Sequence, residues 1–241
     1  MSSMMPYVSP EQMMKDRADF ARKGISRGKS VVAIEFDRGV LFVAENPSTT
    51  LHKISEIYDR VAFAAVGKYN EFELLRRQGI RLADITGYQY AREDVTGRSL
   101  ANAYANSLGS AFTEPSKPFE VELLVAEVTP DAVDLYHILY DGSISDESGH
   151  VVIGGTTEPV NRQLADRYAP GMDLGAALRA AHAALSSGED RAVDPRRLEV
   201  AGLDRDRGRR KFFRLETERV VELLDTGDGT GSADESGQGA S

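Results

Sequence analysis

Short apolar stretches, each the length of a strand and arranged in pairs, dominate this chain and limit the folds open to it. Residues 31–36 and 40–44 are β-branched runs around Asp37-Arg38-Gly39, a hairpin turn signal whose glycine is available for positive φ. Residues 53–57 and 61–66, split by Tyr58-Asp59-Arg60, form a second hairpin that ends at Gly67. Ahead of them, residues 9–23 carry a helical pattern with Ser9 as its cap, Pro10 at its first position, and Glu11 and Gln12 in its first turn.

Helical spacing then takes over at 69–80 (Phe72, Leu75) and 98–112 (Leu100, Ala103, Tyr104, Leu108). Strand patterns return at 119–128, 132–139 and 151–153, followed by helices at 159–168 and 174–185, the latter capped by Asp173. A last hairpin over 198–203 and 211–215 precedes a closing helix at 217–224 with Glu218 and Glu222 outward. Hairpins outnumber single crossovers, which disfavours a doubly wound parallel sheet and favours antiparallel sheets covered by helices, a layered α+β domain. Residues 25–225 are expected to form that domain, 1–24 an extension on it, and 226–241, without one large apolar residue, a disordered acidic tail.

Composition removes whole classes of function. No apolar run approaches the length of a membrane span, and Met1-Ser2-Ser3-Met4-Met5-Pro6 lacks the basic flank and apolar stretch of a secretory signal, so a cytoplasmic protein is expected. With no cysteine there is no thiolate nucleophile or thiolate metal site. A net charge of -9 argues against nucleic acid, and the basic stretch 205–211 reads as a turn around Gly208 between two strands. His52, His137, His150 and His182 have no metal-like spacing, and neither metal nor cofactor is expected. Glu189 and Asp190, after Ser186-Ser187-Gly188, read as solvated loop charge.

Gly28-Lys29-Ser30 invites comparison with a phosphate-binding loop, but only three residues separate Gly24 from Gly28, where that loop needs four. The order is also inverted, because this stretch follows a helix and opens a strand. Gly154-Gly155-Thr156-Thr157 fails the same test for want of a lysine.

Six segments in order carry a resemblance to a known family: Tyr7-Val8-Ser9-Pro10-Glu11-Gln12, Ala21-Arg22-Lys23-Gly24-Ile25, Val43-Ala44-Glu45-Asn46-Pro47, Tyr58-Asp59-Arg60, Asp94-Val95-Thr96-Gly97-Arg98 and Gly154-Gly155-Thr156-Thr157-Glu158-Pro159. Over residues 6–225 the chain resembles the core (20S) proteasome α-subunits, most closely the actinobacterial type. The resemblance implies the αββα sandwich of amino-terminal-nucleophile hydrolases, two antiparallel sheets between helical layers. In catalytic subunits of that family a free amino-terminal threonine starts the first strand; here Lys29 holds the aligned position, joined to an extension. Glu45 and Lys53 stand where those subunits keep an acidic residue and a lysine. The implied chain is non-catalytic. An alternative, self-processing hydrolysis by Ser30, is disfavoured because strand alternation points Ser30 to the other face.

What the resemblance implies about function follows from the same positions. Lys53, with Gly28, would form a pocket between neighbouring α-subunits that takes the terminal carboxylate of a ring-shaped activator. Taken alone, Lys53 reads rather as a strand-edge lysine with its head in water, and the resemblance reverses that balance. Ser2, Ser3, Met4, Met5, Pro6, Tyr7, Val8, Ser9 and Pro10 would gate a pore, with Asp19, Phe20 and Arg22 anchoring the helix behind them. Met13, Met14, Ala18 and Ala21 share a face that a neighbouring subunit could cover. The implied partners are other α-subunits, a β-subunit in an α7β7β7α7 stack, and a hexameric ATPase or other ring activator. Tagging of substrates with the prokaryotic ubiquitin-like protein is part of the same implication.

Overall fold

The computed structural model describes residues 9–189 and 191–226, so Ser2, Ser3, Met4, Met5, Pro6, Tyr7, Val8, Asp190 and 227–241 lie outside the described residues. In chain order the elements are α1 (Pro10–Ile25), β1 (Val31–Phe36), β2 (Gly39–Glu45), β3 (Ile54–Tyr58), β4 (Val61–Gly67), α2 (Tyr69–Gln89), α3 (Gly97–Thr113), β5 (Val121–Val128) and β6 (Val133–Ile138). They continue with β7 (Ile144–Glu147), β8 (His150–Ile153), α4 (Thr157–Arg167), α5 (Leu174–Gly188), β9 (Leu198–Asp204), β10 (Phe212–Arg214) and α6 (Thr217–Asp225).

The strands form two five-stranded antiparallel sheets, ordered β10-β9-β2-β1-β8 and β3-β4-β5-β6-β7. Three apolar clusters show how they stack. Val31, Ala33, Val40, Phe42 and Ala44 of the first sheet meet Ala62, Ala64, Leu124 and Ala126 of the second. Val32, Ile34, Leu41 and Val43 face Leu178, Ala181 and Leu185 of α5, while Phe63, Leu123 and Val125 face Phe72, Leu75, Leu100 and Leu108 of α2 and α3. The result is a four-layer αββα sandwich. Because both faces of each sheet are covered, β2 is buried along its whole length, and residues alternate between inter-sheet and helix-facing clusters. Ala21 and Ile25 of α1 join the inter-sheet cluster beside Val66, Tyr140 and Ile153, so the second half of α1 covers one end of that core.

Several elements differ from the sequence-based expectation. The helix expected at 69–80 runs on to Gln89, because Gly79 and Gly87 serve as notches rather than breaks. A Cβ at Gly79 would strike the Tyr104 hydroxyl, and one at Gly87 the Tyr58 hydroxyl. Strand β7 carries no apolar alternation because it is a largely exposed edge strand. Gly39 is not among the positive-φ glycines; it opens β2, where any Cβ would collide with Leu203 O on β9. Close approach of two strands, not turn conformation, requires it. The stretch 205–211 does join β9 to β10, and two of its cations meet acids of the second sheet's hairpin: Arg210 grips Glu56, and Arg209 lies 3.7 Å from Asp59. No described helix is long and apolar enough to cross a membrane.

Overpacking of this kind costs about 1–3 kcal/mol. Gly39→Ala should lose that much in urea unfolding, and Gly39→Asn at least as much. A recovery of stability with asparagine, which tolerates positive φ, would restore the turn explanation.

Candidate functional site

The end of the sandwich beneath α1 brings together the start of β1, the ends of β2 and α5, and the starts of β3 and β9. A sheet buried on both faces excludes charge from its middle, and here charged strand residues sit at that end. Glu45 closes β2 with a side chain only 3% exposed, and Glu199 follows Leu198 at the start of β9 with one 6% exposed. Burial alone would raise the Glu45 carboxyl, but hydrogen bonds from Arg191 and the charges of Arg191, Lys29 and Arg197 outweigh it and hold the pKa below the usual value. Arg191 Nη2 reaches both oxygens of Glu45 at 2.8 and 2.6 Å, and Arg197 Nε stands at 4.0 Å. Such a doubled contact gives a buried carboxylate the compensation it needs.

Lys29 lies in unbroken chain between α1 and β1. Its ammonium ion-pairs with Glu189 and lies 3.7 Å from Glu45. Glu189 is therefore part of the cluster and not the free loop charge expected from sequence. Ser30 is buried, and its hydroxyl donates to Gly154 O at 2.9 Å. The Gly154-Gly155 turn, with φ of 68° and 56°, wraps this hydroxyl so closely that a Cβ on Gly155 would stand 2.5 Å from Ser30 Oγ. Neither a free amine nor an available hydroxyl exists at this end of β1, which leaves no nucleophile for acyl transfer.

Lys53, just before β3, turns inward: Nζ donates to Lys29 O at 2.9 Å. This replaces the solvated-head reading of the lone lysine. Burial pulls its pKa down from 10.5 to about 8, with the charges of Glu199 and Glu45 offsetting part of the fall. Glu199 organises the segment around it, accepting from the backbone N–H of Lys53 and Ile54 at 3.0 and 3.1 Å, from Asn46 Nδ2 at 2.7 Å and from Arg214 Nη1 at 2.7 Å.

Gly28 lines a neighbouring cavity of about 290 Å³ with Gly24, Arg27, Gly67, Lys68 and Glu120. Lys53 is not among the residues lining it, although it meets the same segment one residue on, at Lys29. A Cβ at Gly28 would also stand 2.5 Å from Val66 Cγ1, so internal packing alone already demands glycine there. Three glycine backbones line it, and its charged side chains are Arg27, Lys68 and Glu120, with Lys68 Nζ 3.7 Å from Glu120.

The remaining expected residues lie along α1. Ser9 Oγ accepts from Gln12 N at 3.2 Å and Pro10 takes the first helical position, as the capping pattern requires. Asp19 and Arg22 pair at 3.6 Å on the surface, Arg22 lies over the Tyr140 ring at 5.7 Å, and Phe20 lies under Lys117 at 5.6 Å. Of the apolar face, Ala21 is buried and Ala18 packs on the core within the chain itself, while Met13, 52% exposed, and Met14 remain open.

Sequence reasoning passed over Glu199 and Arg191. Glu199 had a signal, a lone acid between apolar residues of a strand buried on both faces; Arg191, in a connection without periodicity, had none.

The family model described as a proteasome subunit matches residues 25–202. The proteasome subunit alpha of Acidothermus cellulolyticus is 58% identical over 225 residues, covering 90% of this chain and 96% of that protein. That of Thermomonospora curvata is 57% identical over 224 residues, covering 92% and 97%. The Gordonia bronchialis proteasome subunit alpha is 56% identical over 247 residues, covering 97% and 93%.

Removing the negative charge of Glu199 should lower Lys53 further. In Glu199→Gln, NMR titration of the labelled lysine ammonium should show a midpoint below about 8. An unmoved or raised midpoint would disprove the coupling.

Proposed function

This chain belongs to the proteasome α-subunits, non-catalytic members of a protein-degrading assembly, and on that premise we propose that it forms the outer heptameric rings of a cytoplasmic 20S core, gates substrate entry and docks a ring-shaped activator. In this reading seven copies lie at each end of an α7β7β7α7 stack, and their surfaces template the β-subunits that carry the threonine nucleophile. The activator we assign is a hexameric proteasome-associated ATPase that delivers proteins tagged with the prokaryotic ubiquitin-like protein.

The observation that carries this reading is the occupant of the catalytic position. Lys29 stands there in continuous chain, its ammonium consumed by Glu189 and Glu45. An intact peptide bond before it allows α1 to be attached rigidly to the scaffold, and the capped start of α1 then sets where residues 2–10 are delivered. Residues 9–16 are all exposed, in keeping with a helix end that projects from the body.

For docking, the support is Lys53 beside Lys29 O and the cavity at Gly28. An arriving terminal carboxylate would exchange with the Lys29 carbonyl as partner of the ammonium, and two full charges attract more strongly than a charge and a dipole. Only the protonated form of Lys53 makes this exchange. With a pKa near 8 in the free chain, docking takes up a fraction of a proton and weakens as pH rises through that value.

Lys53→Ala should abolish activator-stimulated degradation while rings still assemble, and in the parent chain activator affinity should fall between pH 7 and 9. Normal docking by the variant, or a flat pH profile, would remove Lys53 from the pocket. Deleting residues 2–8 should raise peptide turnover by the assembled core without activator; unchanged turnover would remove the gate.

A further inference from the structure

Arg17 is the first residue of α1 tied to the body of the chain. Before it, residues 9–16 are exposed; after it, Ala18, Ala21 and Ile25 pack into the inter-sheet cluster. Its guanidinium donates through Nε to Phe112 O at 2.7 Å and through Nη2 to Ala111 O at 3.0 Å. These are among the last carbonyls of α3, groups a helix cannot satisfy internally, and a cation there also faces the negative end of the helix dipole. The guanidinium lies 5.7 Å from the Phe112 ring centroid, and Phe112 packs on Tyr140, the same ring that Arg22 covers one turn later. On the adjoining side, Lys117 lies over Phe20 while pairing with Glu71 and, at 3.0 Å, with Glu120. The last turn of α3 and the connection from it to β5 thus hold α1 at two neighbouring turns.

We propose that Arg17 is the fulcrum that fixes the pitch of α1, and through it the point at which the amino-terminal segment is delivered. The inference rests on the gate reading above. From Ser9 to Arg17 the helix projects about 12 Å at 1.5 Å per residue, so a tilt of about 10° at Arg17 moves its start by about 2 Å. A displacement of that size, repeated around a ring, misaligns segments that must meet on one axis. Arg17 touches no substrate; it is a positioning residue. Its planar fork holds two donors in fixed directions, one for each carbonyl, where a lysine ammonium on its flexible stem is a single rotatable point charge.

The test is a square of four core particles, each assembled with the cognate β-subunit: parent, Arg17→Ala, deletion of residues 2–8, and both changes together. Peptide turnover without activator should rise severalfold in Arg17→Ala, rise at least as far in the deletion, and rise no further in the combination. Arg17→Lys should fall between parent and Arg17→Ala, and thermal unfolding of the assembled particle reports any general loosening separately. If the deletion raises turnover but Arg17→Ala and Arg17→Lys do not, or if the Arg17 effect persists on top of the deletion, the fulcrum is overturned and the gate stands. If the deletion leaves turnover unchanged, the gate reading fails and the fulcrum falls with it. Should Arg17→Ala fail to assemble, Arg17→Lys in the same square decides: a rise that vanishes in the deletion background supports the fulcrum, and any other result overturns it.

Discussion

Covering both faces of both sheets is the constraint from which the rest of this molecule follows. An alanine-rich contact between the sheets and an aliphatic contact on each outer side leave no room along the strands for an unpaired charge. The acids on buried strand positions therefore sit near strand ends and are matched there. Glu127, near the end of β5, takes Arg60 Nε at 2.5 Å and the Gly97 N–H that opens α3 at 2.7 Å. Glu45 and Glu199 take arginines and backbone N–H groups at the end beneath α1. Segregation of charge by layer burial is what assembles a site at that end.

That site shows how a hydrolase scaffold persists without hydrolysis. Lys29, Arg191 and Arg197 surround Glu45, and the resulting network fills with ion pairs the place where a nucleophile and its base would need freedom to move. Lys53 turns its ammonium to the backbone carbonyl of Lys29. Its pKa, lowered to about 8, records that burial outweighs the raising effect of Glu199 and Glu45 there.

Much of the fold was legible because hairpins announce themselves by alternation and turn residues, and because long amphipathic helices repeat their apolar positions. Failures came where a residue's reason lies across the fold. The helix expected to stop at 80 runs on past Gly87, where Tyr58 fills the space a Cβ would take, and Gly39 looks like a turn until β9 arrives against it. At the site, Lys29 and Ser30 could be judged from position in the chain alone. The partners of Lys53 and Glu189 could not, since Glu199 lies 146 residues from Lys53 and Glu189 lies 160 from Lys29.

The two phenol hydroxyls set against Gly79 and Gly87 key α2 like a shaft held by two pins. Two turns apart, one supplied by α3 and the other by β3, they block both sliding and rotation, because either motion drives a Cβ into a phenol. The outward side chains of that helix, Leu82, Ile85 and Tyr88 among them, are consequently displayed at fixed height and azimuth. Interchangeable parts need such tolerances: every copy of the chain offers the same outer rail, set by its own core before any other subunit meets it.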